Sequence, residues 1–366
     1  MSGRFSVTYH VRGSAAEIEA RARGIAVEQS VEMPVAAIRD QTVLSEIVGR
    51  VERIEDLGDG VFAVDIGLAV ATVGDDAGQL LNMVFGNTSL HDDVVLADIA
   101  IPDSLVRLFG GPRHGIAGLR ARLGVPRRAL TASALKPQGL ASGGLAALAA
   151  QMARGGLDFI KDDHGLADQS YARFAERVRA CAAAVGREVR ASGHPTRYVP
   201  SLSGNLDQLR VQAGLALDLG LDCVLVAPMI CGLATLQALV REFPGLAWLA
   251  HPSMGGVGRI APELLIGKLF PLLGADAVIF PSFGGRFGYS RRTCGGLAEN
   301  ARRGGGMRAA LPVAAGGMTL DRTGEILDFY GPDTMLLIGG NLLMAGERIS
   351  VEAARFVGAV SGHVFE

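Results

Sequence analysis

From residue 129 onward the chain repeats one pattern: a short apolar run, then a stretch whose apolar residues have helical spacing. The runs are ALTASAL (129–135), LDFIK (157–161), YVPSLS (198–203), DCVLVAP (222–228), LAWLAH (246–251), DAVIFPS (276–282), LPVAAGG (311–317) and TMLLIGG (334–340). Helical stretches such as GGLAALAAQMARGG, SYARFAERVRACAAAVG and DQLRVQAGLALDLG separate them. Such runs are too short for helices and too uniformly apolar for strands with a wet face, which fits a parallel sheet covered by helices. Eight of them predict an α/β fold closed as a (β/α)8 TIM barrel over 129–366, with a doubly wound open sheet as the alternative.

The N-terminal part reads differently. RFSVTYHV alternates with period two, SAAEIEARARGIAVEQ has helical spacing behind a Ser14 cap, VGRVERIEDLGDGVFAVDIGLA reads as two strands about a Gly-containing turn, and AGQLLNMVF as a helix. Residues 1–110 are expected to form a smaller α+β (ferredoxin-like) domain. Residues 111–128, rich in Gly, Pro and Arg, read as a linker to the barrel, with arginines of solvated type. A length of 366 residues with 49% hydrophobic content suffices for both cores. The net charge of −2 gives no electrostatic footprint for nucleic acid or an acidic membrane. Cys181, Cys223, Cys231 and Cys294 form no CxxC pair and read as free thiols of a reducing compartment. With no signal-peptide pattern and no apolar run of membrane-spanning length, the expected location is the cytoplasm.

In a barrel of this kind the active site lies at the carboxyl ends of the strands, so polar residues at run ends gain meaning. Lys136 follows the first run; Lys161, Asp163 and His164 follow the second; His251 ends the fifth; Arg286 follows the sixth. Gly316/Gly317 and Gly339/Gly340 end the last two, where backbone N–H groups can approach a phosphate, although Gly pairs serve equally as plain turns. Lys161 and Asp163, two apart on extended chain, face the same way, and a bend brings His164 in. A lysine ammonium repels a divalent cation. A lysine carbamylated by carbon dioxide is an anionic oxygen donor suited to Mg²⁺ beside an aspartate. A plain Lys161–Asp163 ion pair at the rim is the competing reading.

GGLDFIKDDHG (155–165) resembles the RuBisCO superfamily segment written GGLDFxKDDE, and ALKPQGL (134–140) resembles that family's strand-one motif. LPVAAGGM and LLIGGN resemble its phosphate-binding strand ends; AVEQS (26–30) and LLNMVFGN (80–87) resemble the segments that reach into a neighbouring subunit's barrel. The resemblance runs nearly the full chain, to the branch of RuBisCO-like proteins. It implies a carbamylated Lys161 binding Mg²⁺ with Asp163 and the next residue, Lys136 as the catalytic lysine, and a homodimer in which Glu28 and Asn82 serve the partner's site.

Departures from the family pattern bear on activity. His164 stands where the third ligand is normally Glu, which opens the site to Mn²⁺. Gln138 replaces a second lysine, Met83 falls where an Asn is normal although Asn82 is adjacent, and Arg286 replaces the lysine of the loop after strand six. An Arg does not substitute for that compact charge. Pro252, Ile279 and Ala315 replace three phosphate-contacting side chains at the far end of the substrate. The expected substrate therefore carries one phosphate and an uncharged far end.

The expected chemistry is metal-dependent enolisation and isomerisation of a monophosphorylated ketose, and within this family 5-methylthioribulose 1-phosphate of methionine (sulfur) salvage, without carboxylation of ribulose bisphosphate. His251 would serve as second acid/base or hold a substrate hydroxyl, and Arg286 would contact the phosphate or supply a cationic pocket. Alternatives are 2,3-diketo-5-methylthiopentyl 1-phosphate enolisation, decarboxylation of a 3-oxo sugar-acid phosphate, and a non-catalytic barrel that binds a metabolite or a regulatory partner.

Overall fold

The computed structural model describes residues 3–125 and 127–365. Packing divides the chain into two units: one runs to Gly110 and takes in Met254–Leu265 and Gly305–Met307, and the other holds Gly111–Ser253, Ile266–Gly304 and the chain from Arg308 on.

In the first unit, strands β1 (Arg4–Arg12), β2 (Arg50–Gly58), β3 (Val61–Ala69) and β4 (Val94–Ile99) form an antiparallel sheet of order β2-β3-β1-β4. The period-two pattern of β1 buries Phe5, Val7, Tyr9 and Val11 on one face. β2 and β3 join through Asp59 and Gly60, both at positive φ, the turn whose twist matches a two-residue hairpin. Helix α1 (Ile18–Glu28) starts one turn later than the Ser14 cap suggests, because the Ser14 hydroxyl donates to Glu17 instead of accepting from the helix start. Helix α2 (Ala77–Phe85) is capped by Asp76, which accepts from Gly78 and Gln79 N–H.

In the second unit, β5 (Leu130–Leu135), β6 (Phe159–Asp162), β7 (Arg197–Val199), β8 (Cys223–Val226), β9 (Ala247–Ala250), β10 (Ala277–Pro281), β11 (Leu311–Ala315) and β12 (Met335–Ile338) form one parallel sheet. The last strand, β12, pairs with the first, β5, which an open doubly wound sheet would not allow. The remaining seam closes past Pro200, where Leu202 N–H donates to Leu225 O and Leu225 N–H to Pro200 O. The fold is a barrel. Its interior is a single apolar cluster including Leu130, Ala132, Phe159, Val199, Leu225, Leu249, Ile279, Val313 and Leu337.

The segment 111–128 is not all linker. After α3 (Asp103–Phe109), helix α4 (Gly115–Leu123) adds Ile116, Leu119 and Leu123 to the barrel's apolar cluster. Its first N–H groups, from His114 and Gly115, donate to buried Asp276 at 2.6 and 2.7 Å. Arg120 is not solvated: it reaches the Arg128 and Pro332 carbonyls at 2.6 and 2.7 Å and Asp333 at 2.8 Å. Composition indicated a loop because the helix is short and glycine-containing, and its anchors come from residues distant in sequence. Helices α5 (Ser142–Arg154) and α6 (Phe174–Ser192) follow β5 and β6. Cys181, Cys223 and Cys294 are buried thiols and Cys231 is half-buried. No helix of the described residues is long and apolar enough to cross a membrane.

Candidate active site

The strands place the site by parity. Leu130 and Ala132 of β5, Phe159 of β6, and Ala247 and Leu249 of β9 face the barrel interior. Every second residue shares that face, so Lys161, near the end of β6, lies on an inward row, and Lys136, Asp163 and His251 continue such rows just past the ends of β5, β6 and β9. β5 and β6 are paired with Ala134 opposite Lys161, so their ends lie side by side.

Lys136 Nζ lies 2.6 Å from Asp163 Oδ1. The ion pair at the mouth is therefore Lys136–Asp163, not Lys161–Asp163. Burial alone would raise the Asp163 carboxyl, but hydrogen bonds from His164 and Lys136 and the charge of Lys161 outweigh it and hold it far below the usual carboxylate range. Lys161 is almost fully buried, and its Nζ donates to the carbonyl of Asp162 at 3.0 Å. Burial brings its pKa down to about 8, with the Lys136 charge adding to the fall against the pull of Asp163. His164 is partly exposed, with Nδ1 3.4 Å from Asp163 Oδ1 and its ring stacked on His251 at 4.0 Å between centroids. Four of the residues singled out in the sequence thus meet in one cluster with His251.

His251 Nδ1 accepts the N–H of Ser253 at 3.2 Å and lies 2.8 Å from Ser253 Oγ. Burial first, then the charges of Lys161 and His164, lower its pKa to about 2. The ring is therefore neutral, and with Nδ1 accepting, its hydrogen sits on Nε2. His251 can donate to a substrate oxygen but is poorly suited to remove a proton.

The two glycine pairs differ. Gly316 and Gly317 have φ of +83° and +104°, and the loop after β10 packs onto them, with Arg286 N–H donating to Gly316 O at 3.0 Å. A Cβ on Gly317 would stand 3.0 Å from the Arg286 nitrogen. The protein itself needs these two glycines. Around Gly339 and Gly340 a Cβ would meet nothing within 4 Å, so this strand end is open. The Arg286 side chain is exposed, with its guanidinium 5.3 Å from the Phe287 ring centroid. Glu28 and Asn82 lie in the first unit. Glu28 accepts from Asn87 Nδ2 at 2.9 Å, and Gln29 Nε2 ties the end of α1 to the Asn82 and Met83 carbonyls at 3.1 and 2.9 Å.

The sequence reading missed what holds the β6 end. Asp162, of opposite parity, points away from the mouth and is fully buried. Burial pushes its carboxyl up; Arg177 Nε at 3.1 Å, Tyr198 OH at 2.8 Å and Ser201 N–H at 3.2 Å converge on it and favour the charged form. Arg177 Nη1 also reaches the Ala167 and Ala172 carbonyls, fixing the loop that follows Asp163 and His164. The signal was the second Asp of the pair, since a charge in an apolar run needs a partner. Removing one partner of a buried pair strands the other, so Arg177→Met is expected to lower unfolding stability by about 3–5 kcal/mol, measured by urea denaturation.

Among the described residues no three His, Cys, Asp or Glu side chains group to hold a metal ion. Asp163 and His164 supply two donors. A carbamate on Lys161 would supply a third and would replace a repelling ammonium by an anion. The donor set fits a divalent cation on that condition alone.

Residues 115–267 match the family described as ribulose bisphosphate carboxylase large chain, catalytic domain. A Rhodospirillum rubrum protein named 5-methylthioribulose-1-phosphate isomerase is 60% identical over 364 residues, 99% of this chain and 97% of that one. A Geobacillus kaustophilus protein named 2,3-diketo-5-methylthiopentyl-1-phosphate enolase is 32% identical over 354 residues, covering 89% of this chain and 84% of its own. The crystal structure of a Rubisco-like protein from Rhodopseudomonas palustris superposes with a TM-score of 0.93 at 48% identity, over 100% of both chains.

Proposed function

This chain belongs to the RuBisCO large-chain family, in its RuBisCO-like branch, and from that premise we propose that it isomerises 5-methylthioribulose 1-phosphate by enolisation. The observation that carries this reading is the Lys136–Asp163 pair beside buried Lys161 at the barrel mouth, in a chain 60% identical to a protein named for that activity. The diketo enolase reading rests on relatives of about half that identity.

Lys161 would add carbon dioxide through its neutral amine, an N–C bond forming as one C=O π bond opens and a proton leaves the nitrogen, and the carboxylate would stand with Asp163 and His164 to hold a divalent cation. Mg²⁺ or Mn²⁺ held there would polarise the substrate carbonyl. Lys136 takes a proton from the carbon next to that carbonyl and returns it to the former carbonyl carbon, while the neighbouring hydroxyl gives its proton to the former carbonyl oxygen and becomes the new carbonyl; a carbamylated Lys161 has no basic amine left for this. His251 donates from Nε2 to a substrate oxygen. The open strand end at Gly339 and Gly340 receives the phosphate through backbone N–H groups, with Gly316, Gly317 and Arg286 closing it. Ile279 and Ala315, both in the apolar interior, suit an uncharged methylthio end. Glu28 and Asn82 are assigned to a partner subunit's site in a homodimer.

The pH dependence of activation follows from the Lys161 amine. Below pH about 8 it is protonated and cannot attack carbon dioxide; above it, it is neutral. The fraction of protein activated at fixed dissolved CO₂ is expected to rise through pH 8 and level off, read as the carbamate signal in ¹³C NMR. The function itself is tested by supplying 5-methylthioribulose 1-phosphate or ribulose 1,5-bisphosphate with Mg²⁺ and bicarbonate. Turnover of the first and not the second is expected, and the reverse would overturn the reading.

A further inference from the structure

Gln138 stands two residues after Lys136, and although the residue is exposed, the amide end of its side chain lies against Gly165, a residue that has none. After β6, Leu166 N–H donates to Asp163 O at 2.9 Å, closing a tight turn with His164 and Gly165 at its tip. The Gly165 carbonyl accepts from Gln169 Nε2 at 2.7 Å, and Gln169 Oε1 accepts from Ala167 N–H at 2.8 Å, so the turn is held from within its own loop. The Gln138 amide covers Gly165: a Cβ built there would collide with Gln138 Nε2 and stand 2.8 Å from its Cδ. Gly165 is not at positive φ, so the backbone does not require glycine here; the space for Gln138 does. The loops after β5 and β6 therefore meet twice, through Lys136 on Asp163 and Gln138 on Gly165.

We propose that Gln138 and Gly165 form a strap between these loops, and that Gln138 is a positioning residue that holds Lys136 Nζ at Asp163. The strap's purpose rests on the proton-transfer role of Lys136 given above. A neutral amide suits the place. An ammonium there would compete with Lys136 for the Asp163 carboxylate.

The chain has three lysines, Lys136, Lys161 and Lys268, so protein labelled with ¹³C at lysine Cε gives three signals, and Lys136→Arg identifies one of them. Gln138→Ala and Gly165→Ala are each expected to move the Lys136 signal and leave that of Lys268, with the double variant displaced no further than either single one. Gly165→Ala is expected to fold, because the added methyl meets only the far end of a flexible side chain. At saturating 5-methylthioribulose 1-phosphate each single variant should lose about tenfold in kcat with KM within about twofold, since small misplacements of a reacting group are costly. The double variant should lose no more. An unmoved Lys136 signal in both single variants, or losses that multiply in the double, would overturn the strap. The spectra need no substrate. A wild type inert toward the sugar phosphate, with the Lys136 signal still responding, would instead overturn the role given to Lys136 and leave the strap standing.

Discussion

Lys161→Ala is expected to abolish isomerisation, by about 10³-fold or more, while the protein stays folded. The size follows from what the residue supplies. Without Lys161 no carbamate forms, the mouth retains only Asp163 and His164 as donors, and polarisation worth several kcal/mol is lost, each ~1.4 kcal/mol being a factor of ten. The fold should tolerate the change, because burial already opposes the charged amine, which donates to the neighbouring Asp162 carbonyl. Three measurements on the same protein check this: a melting temperature near that of wild type, absence of the ¹³C carbamate signal, and absence of turnover. A Lys161→Ala protein that still turns over the sugar phosphate would remove carbamylation from the account.

Lys136→Met should separate catalysis from metal loading. Its activity is expected to fall by about 10²–10⁴-fold, the range for removing a positioned proton-transfer group. The carbamate signal and Mn²⁺ uptake should persist or strengthen, because the substitution frees Asp163 Oδ1 from the ammonium now 2.6 Å away. Parallel loss of metal uptake and activity would mean that Lys136 builds the metal site and does not act on substrate.

Much of this site was legible in the sequence because a β-strand has a two-residue period. Once the eight runs are read as barrel strands, parity alone carries Lys136, Lys161, Asp163 and His251 to one mouth. The charge pattern adds a second signal: three lysines in a chain with 35 basic Lys and Arg residues, two of the three at adjacent strand ends, where an amine and not a guanidinium is the useful group. Other features depend on partners distant in the chain. The Asp162–Arg177–Tyr198 arrangement joins one strand to the helix after it and to the next strand, and no local spacing announces it. Likewise α4 reads as a loop until Asp276, more than a hundred residues later, caps it. The two glycine pairs look alike in sequence and differ in space: Gly316 and Gly317 are committed to packing the loop that carries Arg286, and Gly339 and Gly340 are open. His251 offered itself as a base until its contact with Ser253 fixed the hydrogen on the other nitrogen.

The central claim is that this barrel removes and returns a proton beside the carbonyl of a methylthio-sugar phosphate. It is tested most directly by proton NMR of 5-methylthioribulose 1-phosphate with the wild-type protein in deuterated water containing Mg²⁺ and bicarbonate. Deuterium entering at a carbon next to the carbonyl, together with growth of an isomeric sugar phosphate, is the result the account predicts. Unchanged carbon-bound protons and no new product, in protein whose ¹³C spectrum shows the Lys161 carbamate, would contradict it.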